Sequence, residues 1–221
     1  MKIILLTPLS GIITEFFIIL LHEITTLMNF IGAKNYIIDH LQEGLSQDLY
    51  FHSFEHSLDV LHSASLLNRM EKMDEKDSAL IETAAIYHDA GMIRTYMNHE
   101  VASAQIAREV LPMFDYSPQE IEQVESLIMV TTMPQYAKTK QEMVLCDADL
   151  DVLGREDFFI TSFQLQLEWK IFGVMDSTLR EWIKFEIDFL ENHKYYTASA
   201  IRLREEQKQK NLKAFKDLIK I

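Results

Sequence analysis

The chain has 221 residues, within the size of one domain that can bury a sizeable core. Its 48% hydrophobic and 25% charged side chains are ordinary globular usage and argue against disorder, while six Gly and four Pro leave little material for the turns of an all-β protein. A formal charge of −13 opposes binding to a nucleic-acid backbone, and a single cysteine, Cys146, excludes a disulfide framework or a Cys-based zinc site and fits a reducing, cytoplasmic setting.

Residues 3–21 form an apolar run that Pro8, Ser10, Gly11 and Glu15 interrupt, with no small-residue cleavage site after it. From Gly11 onward the polar positions Thr14, Glu15, His22, Thr25, Thr26 and Asn29 recur at near-helical spacing. Residues 1–29 are therefore expected to be an amphipathic N-terminal extension that packs or makes a homo-oligomer contact, with no membrane span. Residues 30–221 are expected to be one all-α domain. Apolar positions recur at three and four in residues 34–46, 54–70, 78–90, 99–111, 118–131, 141–153, 157–172, 178–191 and 196–219, and no alternating run of useful length appears. Ser117-Pro118-Gln119-Glu120 is a capping box with Pro at the first helical position. Gly91 and Gly154 stand where a helix is expected to end in a left-handed residue.

Polar residues inside apolar helices mark the chemistry. The segment Ser78–Ala90 is apolar on most faces and should be central, yet it carries His88-Asp89 just before Gly91. An imidazole beside a carboxylate in apolar surroundings is costly unless something pairs with both. Either the pair is a hydrogen-bonded helix end, or it binds a cation. Upstream, His52 and His56 are four apart, on one face if their helix starts by Phe51, as two ligands or as one ligand and one acid/base group. Downstream, Asp147, Asp149 and Asp151 punctuate an apolar helix, and three carboxylates there require at least one cation. Asn98-His99-Glu100 opens the helix that follows His88-Asp89 and brings further polar groups toward the same place.

The ordered set His56, His88-Asp89 and Asp147 resembles the H…HD…D signature of the HD-domain metal-dependent phosphohydrolases. His52-Ser53-Phe54-Glu55-His56 followed by Asp59-Val60 is similar to the H-N-x-x-H…D-V motif of class I cyclic-nucleotide phosphodiesterases, with Ser53 in place of the usual Asn. The segments NHEVASAQIAREVLP, LCDADLDVLGR and FLENHKYYT resemble a bacterial branch of HD phosphohydrolases, and the likeness spans about residues 30–215. The resemblance implies a single-domain HD-type helical bundle with a metal site in its core. It implies His56, His88, Asp89 and Asp147 as ligands, with Asp149 the alternative to Asp147, and His52 as general acid beside the catalytic Asp89. Asp149, His99, Glu100 and Arg94 become candidates for a second metal or for substrate, and Lys138 and Lys140 for phosphate contact.

Two His and two Asp suit Mn, Fe, Co, Ni, Zn or Mg, one or two per chain, with positions left open for water. The expected substrate is a nucleotide or another small phosphorylated metabolite, cleaved at a phosphomonoester or phosphodiester bond. A di-iron oxygenase of the HD type and a non-catalytic nucleotide-binding module are the alternatives.

Overall fold

The computed structural model describes residues 28–220, so the expectation for the apolar segment 1–27 lies outside the described residues. Nine α-helices follow in order: α1 (Phe30–Gly44), α2 (Phe54–Glu71), α3 (Glu75–Tyr87), α4 (His99–Val110), α5 (Pro118–Val130), α6 (Lys140–Asp149), α7 (Phe158–Ile171), α8 (Leu179–Asn192) and α9 (Ala198–Leu218). Short 3-10 turns at Ala90–Ile93, Leu111–Phe114 and Asp151–Gly154 extend α3, α4 and α6, and no strand occurs among the described residues.

Helix α3 is the central one. Leu80, Ile81, Ala84, Ala85, Ile86 and Tyr87 are all buried, because neighbours cover nearly its whole circumference. Helices α1, α2, α4, α5 and α6 surround it and share one hydrophobic core with it. A second, smaller core joins Leu153 and Phe158 to Ile183, Ile187 and Leu190 of α8 and to Leu212 and Phe215 of α9. The seam between them is polar and tied: Arg204 donates to both oxygens of Asp151 at 2.6 and 2.8 Å, and Asn211 Nδ2 donates to the carbonyls of Leu153 and Arg155.

Helix starts follow their caps. The Ser117–Glu120 box is present as expected, and Thr139–Glu142 and Thr178–Glu181 form two more. Gly91 and Gly154 differ from expectation, since neither has a positive φ. Close approach explains both. A Cβ on Gly91 would collide with the His99 carbonyl and lie 2.7 Å from Ser103 N, and one on Gly154 would strike the backbone and Cβ of Arg204. Gly91 thus lets α4 lie directly against the turn that carries Asp89.

Candidate metal centre

Four elements deliver the polar cluster. Helix α2 starts at Phe54, not by Phe51, because the Ser53 hydroxyl caps it and accepts from His56 N at 3.3 Å. His52 therefore sits in the preceding loop and is not one helical turn below His56, although the two rings remain 6.2 Å apart. Ser53, at the position where the resembled motif has Asn, does what either residue does well at a helix start. Helix α3 ends at Tyr87, which frees His88 and Asp89 to turn toward α2.

His88 is buried, and its Nδ1–H donates to the Ala85 carbonyl at 2.7 Å. That bond leaves Nε2 as the free lone pair of the neutral ring. Nε2 lies 3.1 Å from Asp89 Oδ2 and 3.3 Å from Asp149 Oδ1. His56 Nε2 approaches the same two oxygens at 3.6 and 3.5 Å. His88 Nε2 and Asp89 Oδ2 are buried without a hydrogen-bond partner, so these contacts are close but not aligned as hydrogen bonds. Acceptor atoms facing one another in a buried place call for a cation between them.

The electrostatics of the cluster point the same way. Burial by itself pushes the His88 imidazole down, but Asp89 and Asp149 outweigh it and hold the group well above its ordinary range. Burial likewise pushes the Asp89 and Asp149 carboxyls up, and the neighbouring imidazoles overcome it and hold both down. The cluster demands positive charge, from a proton or from a metal. His56, His88 and Asp149 offer ligand atoms within 4.8 Å of one another, as do His52, Asp89 and His99. The residues fit a divalent ion of the mixed N/O kind.

Asp89 faces both groups. Its Oδ1 is 3.2 Å from His99 Nε2, whose ring is oriented by an Nδ1–H bond to the Tyr96 carbonyl. Glu100 lies beside the same imidazole at 3.8 Å.

Asp147 requires a correction. It is buried, but its oxygens accept the backbone N–H groups of Tyr196 at 2.8 Å and Thr197 at 2.7 Å. It ties α6 to the entry of α9, and Asp149, two residues on, occupies the place beside His56 and His88. Arg94 also lies elsewhere, with its guanidinium paired to Glu109 at the surface, and Lys140 reaches the Glu71 carbonyl. Arg155 does face the site. It lines a cavity of about 350 Å³ together with His56, Asp149, Tyr50, Phe51 and Gln164, and it is held by Asp59 at 2.8 Å and by Asp157.

Besides Arg155, sequence reasoning missed a second residue altogether. Glu168 of α7 is completely buried and bonds the His52 ring. Nothing local marks it, because its partners lie 72 to 117 positions away.

Residues 53–150 match the family model described as HD domain. The HD superfamily is one of metal-dependent phosphohydrolases. An uncharacterised protein of Clostridium beijerinckii is 36% identical over 81 residues, 35% of this chain and 51% of that protein. The match thus spans about half the length of this curated relative. The crystal structure of Bacillus subtilis YpgQ superposes with a TM-score of 0.62 at 19% identity, covering 87% of this chain and 97% of that one. The structure of YpgQ in complex with ADP gives the same TM-score at 18% identity. Identities this low establish a shared fold.

Proposed function

We propose that this protein is a metal-dependent phosphohydrolase that cleaves a phosphomonoester or phosphodiester of a nucleotide or other small phosphorylated metabolite. The observation that carries the reading is the meeting of His88 Nε2 with Asp89 Oδ2 at 3.1 Å and with Asp149 Oδ1 at 3.3 Å, where His88 Nε2 and Asp89 Oδ2 are buried without a hydrogen-bond partner. His56, His88, Asp89 and Asp149 would hold a divalent ion, and such an ion supplies an activated water and polarises a phosphoryl oxygen.

The chain's own residues do the rest. His88 and His99 have their Nδ1–H groups fixed on backbone carbonyls, so both rings present Nε2 to Asp89 in a set orientation. His52 stands beside the cluster as the proton donor to the departing oxygen, a role worth roughly 10²–10⁴ in rate. Arg155 sits in the cavity wall where a phosphoryl oxygen can displace Asp59 as its partner. The ADP bound by the Bacillus fold neighbour supports a nucleotide as the occupant.

A second reading has its own observation. Asp89 turns Oδ2 to His88 and Oδ1 to His99, so a second ion would be held by Asp89 together with His52 and His99. A di-iron oxygenase would need that second site.

Metal analysis of protein purified without chelator, followed by a panel of phosphorylated metabolites, tests the proposal. Divalent-metal-dependent phosphate release that Asp89→Ala abolishes is expected. Oxygen consumption by a two-iron form, with no phosphate released, would favour the second reading.

A further inference from the structure

Glu168 has no place in the ligand set, yet it is the most completely buried carboxylate near it. Its Oε2 accepts the backbone N–H of Phe51 at 2.8 Å and that of His52 at 3.1 Å. Its Oε1 accepts from His52 Nδ1 and from the Tyr96 hydroxyl, the latter at 2.9 Å. Four donors therefore converge on two oxygens, and all come from outside α7. The Tyr96 ring in turn stacks on Phe172 at the end of α7, with centroids 4.1 Å apart and planes within 9°. A buried carboxylate is a costly way to dock a helix onto a loop, and it is retained here because four donors need its two oxygens. Of those four donors, the one that belongs to the polar cluster is the His52 imidazole.

We propose that Glu168 is the positioning residue of this centre, fixing the His52 ring by its Nδ1–H so that Nε2 is kept for the departing oxygen of the substrate. The inference rests on the phosphohydrolase reading above and deepens it. In the step it serves, the oxygen of water forms the new bond to phosphorus. The bond from phosphorus to the leaving group breaks, and its electron pair goes to the departing oxygen, which takes the proton from His52 Nε2. The proton lost by the attacking water passes to solvent, and His52 regains its own from solvent. Burial alone would push the Glu168 carboxyl up, but the bonds from His52, Phe51 and Tyr96 outweigh it and hold the group below its usual range. It thus remains a carboxylate facing a ring that must carry two N–H groups before it donates one.

The test compares wild type with Glu168→Gln and Glu168→Asp on two esters, phenyl phosphate and p-nitrophenyl phosphate. They share the transferred phosphoryl group and differ in how strongly the departing oxygen needs a proton. In Glu168→Gln, kcat for phenyl phosphate should fall by roughly 100-fold with KM little changed, while p-nitrophenyl phosphate should lose less than about tenfold. Glu168→Asp should recover part of the loss, and the metal content of all three proteins should be equal.

Nitrogen-15 NMR of the Mg²⁺-loaded proteins gives a readout independent of turnover. A His52 Nδ1–H resonance is expected in wild type and should be lost in Glu168→Gln. Equal losses on both esters, or loss of bound metal in Glu168→Gln, would overturn the proposal, because Glu168 would then be supporting the fold or a metal ligand. If wild type cleaves neither ester nor any metabolite of the panel, the phosphohydrolase reading fails. The NMR result then still decides whether Glu168 fixes His52, and absence of the wild-type Nδ1–H signal would refute it.

Discussion

Asp147 and Asp149 are two positions apart near the end of α6 and serve opposite sides of it. Asp149 Oδ1 lies 3.3 Å from His88 Nε2 at the candidate metal site, whereas Asp147 accepts the Thr197 backbone N–H at 2.7 Å on the side of α9. One is placed to bind and the other to build.

That division predicts different losses. Asp149→Asn should weaken divalent-metal binding by more than the roughly 10–100-fold typical of an outer-shell partner. Asp147→Asn should keep metal affinity but lower stability by about 1–3 kcal/mol, because an amide satisfies the Tyr196 and Thr197 N–H groups less well. Isothermal titration with Mn²⁺ and chemical denaturation of each variant check the pair.

The opposed acceptors of His88, Asp89 and Asp149 should make the fold itself sensitive to metal. An ion bound only by the native state stabilises it by about 2.7 kcal/mol at 100 times its dissociation constant. Chelator should lower Tm, and the drop should vanish in His88→Ala. Thermal unfolding with and without EDTA measures both.

Glu186 makes stability depend on pH away from the site. It is buried in the second core, accepts from the Ser162 hydroxyl at 2.5 Å, and burial raises its carboxyl from 4.5 to about 7. Between those values the native protein keeps a proton that the unfolded chain releases, so stability falls as pH rises through that window. Glu186→Gln should flatten this slope and raise stability above it by about 1–3 kcal/mol. Tm measured from acid to mildly alkaline pH for both proteins shows whether it does.

Gly91 should tolerate no side chain. A Cβ there meets the His99 carbonyl and Ser103 N, both backbone atoms that cannot swing away. Gly91→Ala should cost about 1–3 kcal/mol as overpacking and push α4, with His99, away from Asp89. Loss of stability together with weakened metal binding, in one variant, is the expected signature.

Much of this was legible in the sequence because it is local. The three-four apolar rhythm marks all nine described helices, and Ser117 to Glu120 carry their own start signal. His56 and His88-Asp89 stand out because polar groups interrupt apolar stretches. The expectation for Asp147 went astray because the backbone that engages it belongs to Tyr196 and Thr197, some fifty positions later. Glu168 was invisible for the same reason: in QLQLEWK it looks like any surface glutamate, and only folding brings Phe51, His52 and Tyr96 to it. Gly91 and Gly154 were flagged at the right positions for the wrong cause, since close approach, unlike a left-handed φ, depends on a distant helix.

The most direct test is elemental analysis of the protein purified without chelator, run beside Asp149→Asn and Asp147→Asn. The expected result is at least one divalent transition metal or magnesium ion per chain in wild type and Asp147→Asn, and a largely metal-free Asp149→Asn. A wild-type protein that carries no metal and takes up none from Mn²⁺, Zn²⁺ or Mg²⁺ in excess would contradict the central claim.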